Sequence, residues 1–148
     1  KEGDSVLEVG AGSGWNASLI SFLVYPGQVI SIDRINALTE KAKSNFEKLK
    51  KYVDLKLPHN SGKLKVDFFA ENIFSIKGGF DRIIITAGIR DEQESLIRNI
   101  AKKLLNKNGI LVCPRISGRM IIFKKSRTLV KEETKEEYVF VPLLGGLE

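Results

Sequence analysis

Cysteine and histidine are almost missing from this chain of 148 residues, which holds one of each, Cys113 and His59. A lone cysteine excludes an internal disulfide, and the two residues together fall short of the ligand set of a structural zinc site, so no metal is expected. No apolar run approaches the roughly 20 residues that span a bilayer, and no signal-peptide pattern opens the chain. These absences predict a cytoplasmic protein with no membrane partner. His59 stands among turn formers, Leu57-Pro-His-Asn-Ser-Gly-Lys63, an exposed loop in which a surface histidine outweighs a catalytic base. No nucleophile or catalytic dyad stands out elsewhere, so catalytic residues stay unassigned.

Charge is unbalanced, with 24 Lys and Arg against 18 Asp and Glu and a net +6. A nucleic-acid partner therefore has to be weighed. The basic residues are dispersed, however, and Lys41, Lys43, Lys48, Lys50 and Lys51 share a helical pattern with Glu40 and Glu47, which reads as a solvated face. A hydrophobic content of 43% suffices for a single core, so residues 1–148 read as one domain. Lys1-Glu-Gly-Asp4 runs straight into a core strand, so either the fold starts abruptly or an upstream segment is missing. Leu147-Glu148 reads as a cloning scar.

The most informative stretch is Val6-Leu-Glu-Val-Gly-Ala-Gly-Ser-Gly14. Val6, Leu7 and Val9 read as a buried parallel strand. The three glycines then let the chain turn sharply, admit a ligand close to the backbone and open a helix whose first N–H groups are free. The spacing is G-x-G-x-G, unlike the dinucleotide fingerprint G-x-G-x-x-G, and the Lys-Ser/Thr ending of a P-loop is absent. Glu8 beside the glycines would repel phosphate but suits an ammonium or sulfonium group. S-adenosylmethionine carries both. The plainer alternative is a tight strand-to-helix turn with no ligand.

Trp15 to Val24 reads as a mostly buried helix ended by Pro26-Gly27. Gln28-Val-Ile-Ser-Ile-Asp33 is a second strand, and Asp33 falls where a βαβ unit brings a carboxylate beside the glycine loop to receive a ribose. The plainer alternative is that Asp33 serves only the helix that follows, Asn36 to Leu49. Leu64 to Phe69 forms a third strand, with Glu71 and Asn72 at its end able to meet the amino group of an adenine. Phe80-Asp-Arg-Ile-Ile-Ile-Thr-Ala87 is expected at the sheet centre, Thr86 at its carboxyl end. A helix from Asp91 ends at Asn108-Gly109, a fifth strand covers Ile110 to Cys113, and Gly118–Lys125 and Tyr138–Leu143 form an antiparallel pair. Such an α/β chain binds ligands beyond the carboxyl ends of its strands, at the switch point of strand order.

These motifs together resemble the class I S-adenosylmethionine-dependent methyltransferases, and within them the protein-L-isoaspartate O-methyltransferase family, over nearly the whole chain. Val6–Gly14 with Trp15 resembles that family's first cofactor motif, and Ser31-Ile-Asp-Arg34 its ribose-binding strand end. Phe80–Ala87, Asn106-Lys-Asn-Gly-Ile-Leu-Val-Cys-Pro114 and Phe140-Val-Pro-Leu143 are similar to its later strands. The resemblance implies a Rossmann-like α/β fold, a mostly parallel seven-stranded sheet closed by a C-terminal antiparallel hairpin, with helices on both faces. It places Glu8, Gly10, Ala11, Gly12 and Ser13 around the methionine part of the cofactor and Asp33 and Arg34 at the ribose. Glu71 and Asn72 would face the adenine, and Thr86 the same strand edge. The chain departs from the family at three points. No upstream Thr-Ile-Ser-type motif is present, Gly88-Ile-Arg90 replaces Ala-Ala-Pro, and Pro114-Arg-Ile116 replaces Pro-Val-Gly.

The implied reaction is methyl transfer to the carboxylate of isoaspartyl residues in damaged protein, a repair activity. A carboxylate ionised at neutral pH can attack a methyl carbon directly, so alignment and exclusion of water are the main tasks. Arg115 or Arg119 could hold the acceptor carboxylate, or each could be a plain surface charge. Two rivals use the same domain: an RNA or tRNA methyltransferase, which the net charge suggests, and a non-catalytic binding module. An NAD-dependent oxidoreductase fits the glycine spacing and Glu8 less well.

Overall fold

Val6–Val9 forms β1, and all four of its residues are buried. An apolar run this short with both faces covered is what a central parallel strand requires. In the computed structural model, which describes residues 1–56 and 64–144, β1 is followed by α1 (Trp15–Val24), β2 (Val29–Asp33), α2 (Asn36–Lys56) and β3 (Val66–Ala70). Then come β4 (Phe80–Ile85), a 3₁₀ turn over Asp91–Gln93, α3 (Glu94–Leu104), β5 (Leu105–Cys113), β6 (Ser117–Lys125) and β7 (Leu129–Val139). The loop expected over Leu57–Lys63, with His59, and the Leu147-Glu148 pair lie outside the described residues.

The strands make one seven-stranded sheet in the order β3-β2-β1-β4-β5-β6-β7. The first five run parallel, and β6 and β7 close the edge as an antiparallel pair. Strand order reverses between β1 and β4, which makes their carboxyl ends the switch point. As expected, the three isoleucines of Phe80–Ile85 sit in the middle strand. Ile83 and Ile85 pack with Leu7, Leu111, Phe123 and the apolar stripe of α3, Ile97, Ile100 and Leu104. Ile84 faces the other side, toward Val6, Val29 and the α1 residues Ala17, Ile20 and Val24. Helices therefore cover both faces.

Four expectations need correction. α1 is not mostly buried: Trp15 is 63% and Leu23 72% exposed, because the helix buries one side only, its apolar contact with the sheet made by Ala17, Ile20 and Val24. α2 continues past Leu49 to Lys56. α3 ends at Leu104, and β5 starts at once, with Asn106-Lys-Asn-Gly109 inside it. The last strand is Leu129–Val139, a charged ribbon read from the sequence as a connection. An edge strand needs no buried stripe, and the charged run Lys131-Glu-Glu-Thr-Lys-Glu-Glu137 protects it from pairing with another chain. The apolar Phe140-Val-Pro-Leu143 instead crosses over the end of β4, where the Gly88 N–H donates to Val141 O and the Leu143 N–H to Gly88 O.

Candidate functional site

Above the carboxyl ends of β1, β2, β3 and β4 lies a cavity of about 440 Å³, within the range of small-molecule sites. The glycine loop forms its floor. Gly10 has φ +106° and Gly12 φ +51°, conformations that side-chain-bearing residues rarely adopt. A Cβ at Gly10 would collide with the Thr86 hydroxyl, which donates to Val9 O at 2.9 Å and locks the loop to the end of β4. At Gly12 a Cβ would meet no protein atom within 4 Å, so the missing side chain leaves room for a ligand against the backbone. The Gly10 and Ala11 N–H groups both donate to Ile32 O, holding the loop against β2.

Asp33 ends β2 at the cavity wall. Its Oδ2 accepts from the Gly12 N–H and its Oδ1 from the Ile35 N–H, both at 3.1 Å. Both readings of Asp33 thus meet in one geometry: the acid orders the chain into α2 and still has lone pairs for ribose hydroxyls. Glu71 and Asn72 line the same cavity after β3, within one turn. Ser75 Oγ donates to Glu71 Oε2 at 2.7 Å, and the Phe74 N–H donates to Asn72 Oδ1 at 3.1 Å.

The cavity therefore gathers Gly10, Gly12, Asp33, Arg34, Glu71, Asn72 and Thr86. It does not take in Glu8, Ala11 or Ser13. Ala11 is buried at 4% exposure under the loop. Ser13 is exposed on the far side, its carbonyl accepting from Asn45 Nδ2 at 2.9 Å. Glu8 is fully buried beneath the loop, one oxygen accepting from Asn16 Nδ2 at 2.7 Å and the other from the Ser31 hydroxyl. It braces β1, β2 and the first turn of α1 together. The cavity carboxylates that would disfavour a pyrophosphate are Asp33 and Glu71.

Residue-by-residue reading missed the apolar walls. Ile35 and Ile73 flank the Asp33–Glu71 end, and Phe74, Leu96 and Val141 to Leu144 enclose the rest. Ile35 directly follows the Asp33-Arg34 strand end, which is the one local signal that could have found it. The last segment reaches the cavity only through its long-range pairing with Gly88, which no local pattern encodes.

Arg115 is not available to an acceptor carboxylate. Its guanidinium binds Asp91 at 2.9 Å, Glu94 at 3.1 Å and Glu133 at 2.8 Å, and Lys131 joins Glu94 and Glu133. Burial works against the Glu94 charge, but hydrogen bonds from Lys131 and Arg115 outweigh it and hold the carboxyl below its ordinary value. Arg119 lies exposed on β6. Among the described residues no group of three His, Cys, Asp or Glu could hold a metal ion.

A parallel sheet closed by an antiparallel pair, with a glycine loop and an acidic strand end at its switch point, defines the class I methyltransferase fold. Residues 1–148 match the Protein-L-isoaspartate(D-aspartate) O-methyltransferase family, and the chain belongs to that family. It is 38% identical over 149 residues to the Protein-L-isoaspartate O-methyltransferase of Methanococcus aeolicus, covering 98% of this chain and 62% of that protein. It is 37% identical to that of Pyrococcus abyssi, with the same coverage of 98% and 62%. The chain thus spans about three fifths of the length of these curated relatives. Among solved structures, a protein-L-isoaspartate O-methyltransferase superposes with a TM-score of 0.75 at 26% identity, covering 99% of this chain and 44% of that one. PKMT2 from Rickettsia typhi, solved in complex with AdoHcy, superposes with a TM-score of 0.57 at 26% identity, covering 79% and 21%.

Proposed function

We propose that residues 1–148 form the cofactor-binding domain of an S-adenosylmethionine-dependent protein-L-isoaspartate O-methyltransferase, acting on isoaspartyl carboxylates in damaged protein. The observation that carries this reading is Asp33 at the switch-point cavity, its carboxylate oriented by Gly12 and Ile35 at the edge of a glycine loop. S-adenosylmethionine supplies a methyl group on a sulfonium. The chain's own residues bind and orient it: Asp33 takes the ribose hydroxyls, Glu71 and Asn72 meet the amino edge of the adenine, and Ile35 and Ile73 offer apolar faces to the base. Arg34 and Thr86 border the cavity, and the backbone at Gly10 and Gly12 faces the methionine end, with Glu8 bracing the loop from below.

No proton needs to move on the enzyme, because the free α-carboxyl of an isoaspartyl residue, with a pKa of about 3.5, is already ionised at neutral pH. What remains is alignment and exclusion of water. The apolar Val141–Leu144 segment provides the second of these at the end of β4. We assign the reaction to the cytoplasm, where the single thiol of Cys113, buried and free, would stay reduced. No helix among the described residues is long and apolar enough to cross a membrane.

The test is methyl transfer from labelled S-adenosylmethionine to a peptide carrying one isoaspartyl residue, beside the same peptide with ordinary aspartate. The reading predicts a base-labile ester on the isoaspartyl peptide alone. Label in tRNA and none in peptide would replace it with the RNA reading.

A further inference from the structure

Between Ser95 and Lys131 the sequence holds ten lysines and arginines and not one aspartate or glutamate. The fold sorts these cations. Arg115 and Lys131 are neutralised at the carboxyl edge of the sheet by Glu94 and Glu133, Lys124 pairs with Glu132 at 2.6 Å, and Arg98 lies over the Phe123 ring. Of the other six, Arg119 stands exposed near the start of β6, at the carboxyl edge, and the rest gather at the opposite edge. Lys102 and Lys103 close α3, Lys107 stands at the start of β5, and Arg127 lies in the turn between β6 and β7. All four are exposed. Because β5 runs parallel to β4 while β6 returns antiparallel, all four occupy the strand-start edge, opposite the cavity.

Lys125 fastens the parts together. Its ammonium donates to Lys102 O and Leu105 O, both at 2.6 Å, and so ties the end of β6 to the last turn of α3. Two carboxylates stand at this edge by the starts of β1 and β4: Asp4 pairs with Arg82 at 3.1 Å, and Asp81 accepts from Asn106 at 3.0 Å and from Ser5. The result is a ridge of four exposed cations, none of them ion-paired with a carboxylate among the described residues.

We propose that this ridge is an interaction surface for a nucleic-acid phosphate backbone. The composition of the ridge selects that partner. Ser126, Thr128 and Asn108 stand among the cations, and the apolar surface nearby is confined to Val130 and a small hollow beside Lys103, whereas protein interfaces are built around an apolar or aromatic core and interfacial membrane segments present an apolar face. Bare, exposed charge is what sequence-independent phosphate contact requires. The surface lies apart from the cofactor cavity and stands whether or not the methyl-transfer reading does.

The experiment is fluorescence anisotropy of a labelled mixed-sequence RNA of about 20 nucleotides, titrated with the chain between about 50 and 200 mM salt. Four phosphate contacts to a single strand predict a slope of log K against log salt of about −3. The variant K102Q/K103Q/K107Q/R127Q is expected to bind at least about tenfold more weakly and to lose most of that slope, with an unchanged thermal unfolding midpoint. A matched variant on α2, K41Q/K43Q/K48Q/K51Q, removes the same charge and should retain both affinity and slope. Equal losses in the two variants would overturn the proposal by reducing the effect to net charge. So would a chain that ignores RNA but binds anionic vesicles or polyglutamate.

Discussion

Burial raises the Glu8 carboxyl above its ordinary value, against the hydrogen bonds from Ser31 and Asn16 that favour its charge. The folded protein therefore keeps this proton to higher pH than the unfolded chain does. Between the ordinary value and the raised one, the native state binds more protons, so this group's contribution to stability falls as pH rises through that window. Glu8→Gln removes the titration. Denaturant unfolding should show the variant gaining on the wild type as pH rises from 4.5 toward neutrality, and a difference independent of pH would contradict the assignment. Burial also pushes the Cys113 thiol up to about 12, against the pull of Arg115. Its thiolate is then scarce at neutral pH. Alkylation in native buffer should proceed far more slowly than in denaturant, and labelling at equal rates would show an open thiol.

Between elements, Arg115 is the tie that joins the start of α3 to β7 across the top of the sheet. The Glu94 and Glu133 carboxyls are held below their ordinary values; at Glu133 the bonds from Lys131 and Arg115 are the chief cause. A carboxyl lowered by folding stabilises above its unfolded value, and that contribution fades as pH falls through the folded one. Arg115→Ala should therefore cost about 1 kcal/mol near neutrality, solvent screening weakening its bonds to the more exposed Asp91 and Glu133. The loss should shrink on acidification. An acceptor-binding arginine would behave differently, weakening substrate binding at unchanged stability.

The sequence disclosed some of these elements and hid others, for identifiable reasons. β1, β2 and β4 were legible because buried parallel strands appear as short apolar runs stopped by glycine or acid, as at Val9-Gly10 and Ile32-Asp33. β7 was not, since an exposed edge ribbon of lysine and glutamate has no apolar period to read. α1 misled in the opposite direction. Its apolar residues exceed what its contact with the sheet uses, leaving Trp15, Leu19 and Leu23 in solvent.

For the molecule as a whole, the candidate site was legible to the extent that topology dictates it. Strand ends at a switch point must converge, and seven of the ten residues named from sequence do line one cavity. Glu8 lies outside the cavity because residues alternate across a strand, and its position in register with Ser31 and Ile84 turns it toward α1. The wall formed by Val141 to Leu144 depends on pairing with Gly88, far away in the sequence, and leaves no local trace. That wall and the Asp33 end bound a single space.

The measurement that bears most directly on the central claim is a calorimetric titration of the chain with S-adenosylmethionine, repeated with NAD and with Asp33→Ala. The account predicts saturable binding of S-adenosylmethionine, none of NAD, and an affinity lowered by about 10- to 100-fold in the variant, the loss expected for hydrogen bonds to a charged group. Equal affinity of wild type and variant, or preference for NAD, would contradict it.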